Sequence, residues 1–326
     1  MKGIVIGKFY PPHKGHHYLI DTAIQNSDEV DVLVVDNPTY HIPATQRAKW
    51  LQEYHPTARV QIIPDINDDD NSPAWAQHTL QFLGYRPDMV FSSEPYGETW
   101  AAAMQCAYTN VDIARTTVPI SGTKVRQDIL ESWNYLSDPV RTGLALRIVV
   151  VGAESTGTTT LSKDLAHELR VPWVPELGRS YTESIAPTKS DWQDEDFYRI
   201  GQLQQAYENE LATRSDGIIV CDTNATATEL WQQRYMGATT KKMERIAAKD
   251  KADVYIITSD DIPFVQDGTR DGEHIRHQMH TWFITHIKKT GVPYIIVAGS
   301  RTERLAVAKK AATAMIATRR IIPGVV

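Results

Sequence analysis

Residues suited to binding phosphate stand near the start of the chain. The segment GKFYPPHKGH, residues 7–16, lies between a strand-like run and a predicted helix. The N-terminus of a helix presents unpaired N–H groups and the positive end of a dipole, and both attract anions. Because His13 and His16 are three residues apart, their imidazoles face one side of the first turn and can donate hydrogen bonds to phosphate oxygens. Gly7 lets a nucleotide approach the backbone, and Gly15 leaves room beside the histidines.

A second group of phosphate-binding residue types stands later, in ISGTKVR, residues 120–126. Ser121 is a good N-cap for a helix that would begin here. Thr123, Lys124 and Arg126 add a hydroxyl and two cations to the same helix start. Such a cradle suits the β- and γ-phosphates of a leaving pyrophosphate.

A third phosphate motif opens the second half of the chain. GAESTGTT, residues 152–159, follows an apolar strand and has the spacing of G-x-x-x-x-G-K-[ST]. The backbone N–H groups of such a loop surround phosphates, and Thr159 would ligate Mg²⁺. Thr158, however, occupies the lysine position and supplies no charge. Asp222 ends a later apolar run, as the acid of a Walker B strand does, and could bind Mg²⁺ or the substrate hydroxyl.

Residues 267–276 form a charged segment that contains Gly268. It predicts a lid that brings Arg270 and Arg276 to the phosphates, where they would replace the missing lysine. Lys163 is another candidate for that charge. The alternative is an exposed loop with salt bridges.

The elements that position these motifs alternate between strand and helix, which is typical of a parallel α/β sheet. The order restarts at residue 146, after an irregular connection around residues 137–139. We therefore predict two α/β domains, residues 1–136 and 145–326. The predicted strands are residues 3–6, 30–35, 59–63, 89–91, 146–151, 217–221, 253–258 and 293–297. The predicted helices are residues 15–26, 44–54, 73–83, 158–169, 202–214, 226–235 and 301–317.

Composition narrows the class of protein. The chain has 326 residues, of which 42% are hydrophobic and 23% charged, with a formal net charge of −6. These values are typical of a soluble globular protein and argue against a basic nucleic-acid surface. Two distant cysteines give no disulfide framework, and no apolar run is long enough to span a membrane. We expect a cytoplasmic protein without a signal peptide, whose state of homo-oligomerisation the sequence leaves open.

The first two motifs together resemble the nucleotidyltransferase superfamily, in which HxGH follows the first strand and ISGTxVR closes the domain. More narrowly, residues 65–67 and the WAQH of residues 75–78 resemble nicotinamide mononucleotide adenylyltransferases, in which an aromatic side chain stacks on the nicotinamide ring. Trp75 is the candidate for that role, and a core tryptophan is the alternative. The resemblance implies that the phosphate of nicotinamide mononucleotide attacks the α-phosphorus of ATP, which gives NAD and pyrophosphate.

The whole chain, including residues 176–179 and 192–205, resembles the bifunctional family that joins this transferase to a ribosylnicotinamide kinase. The resemblance implies an N-terminal Rossmann-like nucleotidyltransferase fold and a C-terminal P-loop kinase fold, both with parallel sheets. It also implies small-molecule substrates: ATP, nicotinamide mononucleotide, nicotinamide riboside and the NAD product. Some members carry a helix-turn-helix repressor domain before the first motif. Because the motif here begins at Gly7, we expect no DNA binding.

The predicted sites follow from the motifs and the resemblance. The predicted catalytic residues are His13, His16, Lys124, Arg126 and Asp222. Binding of ATP in the first domain is assigned to Gly7, Phe9, His13, His16, Ser121, Thr123 and Arg126, and binding of the mononucleotide to Trp75 and Arg47. The P-loop site comprises Gly152, Glu154, Ser155, Thr156, Gly157, Thr158, Thr159, Arg270 and Arg276. Glu176 and Arg179 would lie near the riboside, and Thr159 and Asp222 would hold Mg²⁺.

Several alternatives remain open from the sequence. The first motif could be an ordinary surface helix, or a metal site shared with His17, and the second an ordinary capped helix. The second domain could sense nucleotides without turnover, which Thr158 favours. The chain could also be a phosphopantetheine or cytidylyl transferase, or a non-enzymatic regulator that responds to NAD. Because each domain has its own sheet and phosphate loop, we expect a fragment ending near residue 136 to retain adenylyl transfer.

Overall fold

The computed structural model describes residues 1–185, 192–266 and 272–323, with the side chains of 182–185 left out. The chain forms two compact units. The first contains Met1–Gly143 together with Arg320–Val326, and the second contains Leu144–Arg319. The predicted break between the domains lies close to this boundary. The prediction differs at the other end, because the residues that follow Arg319 belong to the first unit.

The first unit is a five-stranded parallel sheet flanked by helices. In chain order it contains β1 (Lys2–Gly7), α1 (Lys14–Gln25), β2 (Glu29–Asp36), α2 (Ala44–Tyr54), β3 (Arg59–Pro64), α3 (Ser72–Leu83), β4 (Met89–Ser92), α4 (Tyr96–Met104), β5 (Ala107–Asn110), α5 (Gly122–Gln127) and α6 (Asp138–Leu144). The strand order is β3-β2-β1-β4-β5. The strand pairs are parallel, as predicted.

The centre of this sheet is apolar on both faces, because helices cover both sides of β1. Val5 packs with Leu19 and Ile20 of α1 on one face. Ile4 packs with Trp75 and Trp100 on the other. The strand order reverses direction at β1, which lies between β2 and β4. In open α/β sheets, ligands bind beyond the carboxyl ends of the strands at such a switch point.

The second unit is a second five-stranded parallel sheet. It contains β6 (Leu146–Val151), α7 (Thr158–Leu169), β7 (Trp173–Val174), α8 (Leu177–Ile185), α9 (Asp194–Arg214), β8 (Ile218–Asp222), α10 (Ala225–Met236), α11 (Lys241–Ala247), β9 (Val254–Thr258), α12 (Arg276–Thr290), β10 (Tyr294–Val297) and α13 (Arg301–Arg319). The strand order is β10-β9-β6-β8-β7. The predicted fold class, with two parallel α/β sheets, is confirmed.

The switch point of the second sheet lies at β6, which pairs with β8 on one side and β9 on the other. Every residue of β6 is buried. The chain that leaves its carboxyl end is the predicted P-loop. In each unit, therefore, the central strand runs directly into a phosphate-binding motif.

Candidate nucleotide sites

A cleft of about 600 Å³ opens at the switch point of the first sheet. Its walls come from the loop after β1, the loop after β4, α3 and the start of α5. The predicted site residues that line it are Gly7, Phe9, His16, Trp75, Ser121, Thr123 and Arg126. The two motifs that stand far apart in the sequence thus meet in one cleft.

The two histidines of the first motif form a reciprocal cap at the start of α1. His13 is the N-cap, and its Nδ1 accepts a hydrogen bond from the Gly15 backbone N–H at 3.2 Å. The Nδ1 of His16 accepts in turn from the His13 backbone N–H at 3.3 Å. The rings stack with centroids 3.7 Å apart. A Cβ on Gly15 would lie 3.1 Å from the His13 ring, so a side chain here would press on the histidine pair.

These contacts fix the protonation of both rings. An imidazole nitrogen that accepts a hydrogen bond from a backbone N–H carries no proton, so each neutral ring bears its proton on Nε2. Burial, together with the charges of Arg115 and Arg126, lowers the pKa of His13 to about 3. Burial also lowers the pKa of His16 well below its usual value. Both side chains are therefore neutral N–H donors at pH 7. The His13 Nε2 is buried and has no hydrogen-bond partner among the residues described.

The second motif supplies a cation to the same cleft. Ser121 caps α5 by accepting from the Lys124 backbone N–H at 3.2 Å. The Arg126 guanidinium donates to the Tyr10 carbonyl at 2.9 Å and to the Thr123 Oγ1 at 3.2 Å. The structure differs from the prediction for Lys124, which is exposed on α5 and does not line the cleft. Its neighbour Val125 is buried, so the helix turns the Lys124 side chain toward solvent.

Arg47 does not line the cleft, where the prediction placed it against the mononucleotide. Its side chain is fully buried. The guanidinium donates to the carbonyls of Ile42 at 2.9 Å and Val35 at 3.1 Å, and also to that of Lys8. Because the Lys8 carbonyl belongs to the first motif, Arg47 supports the phosphate loop from behind.

Trp75 combines the two roles considered for it. It packs in the core against the sheet and is 9% exposed, and it also lines the cleft. Its indole Nε1 donates to the Asp68 carbonyl at 3.0 Å. This bond fixes the ring and ties it to the acidic run of residues 68–70. Asp69 of that run lines the cleft and forms an ion pair with Lys8 at 2.6 Å.

Arg115 is a cleft residue that the sequence did not indicate. It lies in the loop between β5 and α5 with a φ of 51°, and it pairs with Glu94 at 2.8 Å. No motif marks an arginine in such a loop. The third histidine of the first motif, His17, turns away from the cleft. It bonds to the His55 Nε2 at 2.9 Å and the Ser137 Oγ at 3.0 Å, and no metal-ligand cluster occurs among the described residues.

A second cavity, of about 360 Å³, lies at the carboxyl end of β6. The predicted residues that line it are Gly152, Glu154, Ser155, Gly157, Thr158, Thr159, Glu176, Arg179 and Asp222. The loop takes its shape from left-handed residues, Ser155 with a φ of 59° and Gly157 with a φ of 85°. Gly157 is the N-cap of α7, so Thr158 and Thr159 occupy its first turn.

Thr156 supports the loop with its side chain instead of lining the cavity. Its hydroxyl is buried, donates to the Ala153 carbonyl at 2.6 Å and lies 2.7 Å from the Thr258 Oγ1. Thr258 ends the neighbouring strand β9. Its contact with Thr156 therefore anchors the P-loop to the sheet.

Two buried arginines hold the outer side of the P-loop. Arg276 donates to the Ser155 carbonyl at 2.9 Å and to the Ile262 carbonyl at 2.7 Å. Arg304 donates to the Thr156 carbonyl at 2.6 Å. Arg276 was predicted to contact phosphate, but it is held on these carbonyls and does not line the cavity. Arg270, in residues 267–271, lies outside the described residues. The Lys163 ammonium lies 4.6 Å from the centre of the Trp173 ring.

Asp222 lies at the end of β8 beside the first turn of α7. It is 1% exposed, and burial raises its pKa to about 6, against the opposing effect of the Thr159 hydroxyl. Its Oδ2 is buried with no hydrogen-bond partner within the described ranges. An unpartnered carboxylate oxygen next to a threonine hydroxyl is the donor set that Mg²⁺ favours. The residues present thus fit a magnesium ion held by Thr159 and Asp222.

Four aromatic side chains form one wall of the second cavity: Trp192, Phe197, Trp231 and Tyr235. Trp192 and Tyr235 are stacked with centroids 5.8 Å apart. Glu154 of the P-loop pairs with Arg234 at 2.7 Å and accepts from the Gly272 N–H at 2.8 Å. The aromatic wall was missed because its members come from a loop and from two helices, and no local spacing marks them.

Comparisons with known proteins agree with this division. Residues 4–128 match the Cytidylyltransferase-like family, and residues 147–304 match the AAA domain family. The trifunctional NAD biosynthesis/regulator protein NadR of Escherichia coli (strain K12) is 23% identical over 320 residues, which covers 90% of this chain and 78% of that protein. The nicotinamide-nucleotide adenylyltransferase of Haloarcula marismortui is 28% identical over 152 residues, which covers 41% of this chain and 74% of that enzyme.

Solved structures show the same fold over nearly the whole chain. A crystal structure of NadR in complex with NR has a TM-score of 0.72 and 21% identity, and it covers 97% of this chain and 96% of its own. A NadR structure in complex with NAD and AMP-PNP gives a TM-score of 0.70 and 20% identity with the same coverage. No helix in the described ranges combines the length and apolar character that crossing a membrane requires.

Proposed function

This chain joins a cytidylyltransferase-like domain to a P-loop domain and is homologous to NadR, and we propose that it makes NAD from nicotinamide mononucleotide and ATP. In this proposal the first unit transfers AMP from ATP to the mononucleotide and releases pyrophosphate. The second unit phosphorylates nicotinamide riboside with ATP, which supplies the mononucleotide.

The observation that carries the first activity is the pair of stacked imidazoles at the start of α1. Their Nδ1 atoms are occupied by backbone N–H groups, so both Nε2–H groups remain as donors at a helix N-terminus. The mononucleotide phosphate is an anion at pH 7 and needs no general base. Attack on the α-phosphorus builds negative charge on its oxygens, and fixed donors in a water-poor site stabilise that charge. His13 and His16 donate to those oxygens, and Arg126 neutralises the leaving pyrophosphate.

We choose nicotinamide mononucleotide as the acceptor because of Trp75 and because of the relatives that the chain matches. The indole lines the cleft with its Nε1 already bonded to Asp68, so the ring is held in place before a ligand arrives. A fixed aromatic face suits stacking on a flat heterocycle such as nicotinamide. A nicotinamide-nucleotide adenylyltransferase is 28% identical to this chain over 152 residues.

The test of the first activity is a comparison of acceptors. Purified chain is incubated with ATP and Mg²⁺ plus one of nicotinamide mononucleotide, phosphopantetheine or nicotinamide riboside, and products are identified by mass. We expect NAD and pyrophosphate from the mononucleotide, without product from phosphopantetheine. If pyrophosphate is released with phosphopantetheine but not with the mononucleotide, the chain is a nucleotidyltransferase of a different substrate class.

The second activity rests on the contents of the second cavity. Nicotinamide riboside carries a positively charged pyridinium ring, and aromatic faces such as those of Trp192 and Tyr235 attract a flat cation. Asp222, which would hold Mg²⁺ together with Thr159, can also accept a hydrogen bond from the riboside hydroxyl and orient it. Glu176 and Arg179 line the same cavity. Bound Mg²⁺ would neutralise charge on the phosphates of ATP.

A nucleotide sensor without turnover is the second candidate for this unit, because Thr158 replaces the P-loop lysine. Incubation of the chain with riboside, ATP and Mg²⁺ alone decides between the kinase and the sensor. Formation of the mononucleotide, or of the NAD that the first unit makes from it, supports the kinase. Binding of ATP without phosphorylation supports the sensor.

A further inference from the structure

The four described residues after α13 belong to the first unit, although more than 170 positions of sequence separate them from the rest of that unit. We name Arg320–Pro323 the return segment. The chain passes from α13, which is part of the second unit, into a segment that packs on the first. Two of its partners, Tyr10 and Arg126, line the transferase cleft.

Among the described residues, the return segment makes four hydrogen bonds to the first unit, three of them through its own backbone. The Ile129 N–H donates to the Arg320 carbonyl at 2.9 Å, and the Ile322 N–H donates to the Arg126 carbonyl at 3.0 Å. The Tyr10 hydroxyl donates to the Pro323 carbonyl at 3.1 Å. The Arg320 side chain forms an ion pair with Asp128, 192 positions earlier in the chain.

Helix α5 depends on such contacts because it has only six residues. So short a helix is unstable by itself, and the carbonyls of its last turn have no partner within the helix. The return segment supplies one of those partners at the Arg126 carbonyl. The Arg126 guanidinium also donates to the Tyr10 carbonyl, so the return segment is tied to both members of this pair.

The packing agrees with the hydrogen bonds. Ile322 is 8% exposed, whereas the adjacent Ile321 is 55% exposed. The buried side chain sits in the same segment whose N–H bonds to Arg126. One isoleucine is therefore anchored on the first unit while its neighbour faces solvent.

We propose that the return segment is a positioning element of the transferase cleft, which holds Arg126 and Tyr10 in place for the phosphates of ATP. This inference rests on the proposed transfer of AMP. It has a direct consequence for the expectation that a fragment ending near residue 136 retains adenylyl transfer. Such a fragment lacks the return segment, so α5 loses its partner at Arg126 and activity falls.

The experiment compares two stop positions in the full chain. A variant that stops after Arg319 lacks the return segment, and a matched control that stops after Pro323 keeps it. Pyrophosphate release is measured with ATP and nicotinamide mononucleotide, each varied in turn, and circular dichroism and thermal melting monitor the fold. We expect the first variant to lose at least tenfold in kcat/KM, with KM for ATP raised more than KM for the mononucleotide. The control should match the wild type.

Point variants keep the test decisive if the shortened chain fails to fold. Ile322→Ala should raise KM for ATP, and Ile321→Ala should leave it unchanged. Ile322→Val, which keeps most of the buried side chain, should give a KM for ATP close to that of the wild type. Arg320→Ala should behave like Ile322→Ala. Arg319→Ala is its matched control, because Arg319 pairs with Asp253 in the second unit. A stable chain that stops after Arg319 and keeps wild-type kinetics would overturn the inference. If the wild type itself forms no NAD, the proposed function has failed instead.

Discussion

Replacing His13 by asparagine separates two roles that the structure gives to one side chain. The Nδ1 of His13 caps α1 through the Gly15 N–H, and the buried Nε2–H is a donor without a protein partner in the described structure. Asparagine is a favoured N-cap but is too short to place a donor where Nε2 lies. His13→Ala removes both the cap and the donor.

His13→Asn and His13→Ala should have similar kcat values but different free energies of unfolding. Loss of one donor to a developing oxyanion lowers kcat by about 10²–10³-fold. Loss of an N-cap costs about 1 kcal/mol of folding free energy. Both variants should therefore show the large fall in kcat, and only His13→Ala should lose stability. Initial rates of pyrophosphate release and urea denaturation measure the two quantities. Wild-type kcat in folded His13→Asn would remove His13 from the mechanism.

The pH dependence provides a second check on the same side chain. Because the pKa of His13 in the folded protein is about 3, protonation of His13 should produce no inflection in kcat between pH 8 and pH 5. Stability behaves differently. The unfolded chain binds a proton near the ordinary pKa of about 6.5, so stability is complete above that pH and falls as the pH decreases toward 3. At pH 5 this histidine alone should cost roughly 2 kcal/mol of unfolding free energy. As the pH falls from 7 to 5, the denaturation midpoint of His13→Asn should decrease less than that of the wild type.

Three further predictions concern Trp75 and the P-loop. Trp75→Ala should raise KM for nicotinamide mononucleotide by about tenfold, from roughly 1–3 kcal/mol of stacking, with KM for ATP little changed; equal increases would indicate a core role alone. Thr158→Lys should raise the rate of riboside phosphorylation, measured as mononucleotide plus NAD formed, because it restores a cation at the transferred phosphate. A lower rate would show that the loop has adapted to threonine. Arg304→Met should weaken ADP binding by about tenfold in calorimetry, since a buried loop carbonyl loses its donor. Arg301→Met, on the same helix, should leave ADP binding unchanged. If both variants weaken ADP binding equally, the role of Arg304 is refuted.

The fold was predictable because its central strands contain runs of buried, mostly apolar residues. Parallel strands covered on both faces need such runs, and β2, β6 and β9 have them. Strand β5 was not predicted, because its sequence AYTN lies at the sheet edge and buries none of its four residues fully. The three predicted phosphate motifs could be recognised because their chemistry depends on local backbone, which a short segment of sequence specifies.

The aromatic wall and Arg115 could not be predicted in the same way. Trp192, Phe197 and Tyr235 approach one another only after α9 packs on α10. Arg115 reaches its cleft from an irregular loop. Tertiary packing brings these residues together, so no spacing in the sequence indicates them.

The arginines assigned to ligands by sequence reasoning follow a common structural rule. A phosphate loop points its N–H groups toward the ligand, so its carbonyls point outward into the protein. Buried carbonyls need donors, and a guanidinium with five N–H groups can serve several at once. Arg47 does this behind the loop of the first unit, and Arg276 and Arg304 do it behind the P-loop. An arginine near a phosphate motif in sequence is therefore as well suited to holding the loop as to touching the phosphate. Arg126 bonds to the Tyr10 carbonyl and also lines the cleft, so it is the position at the cavity wall that distinguishes the two roles.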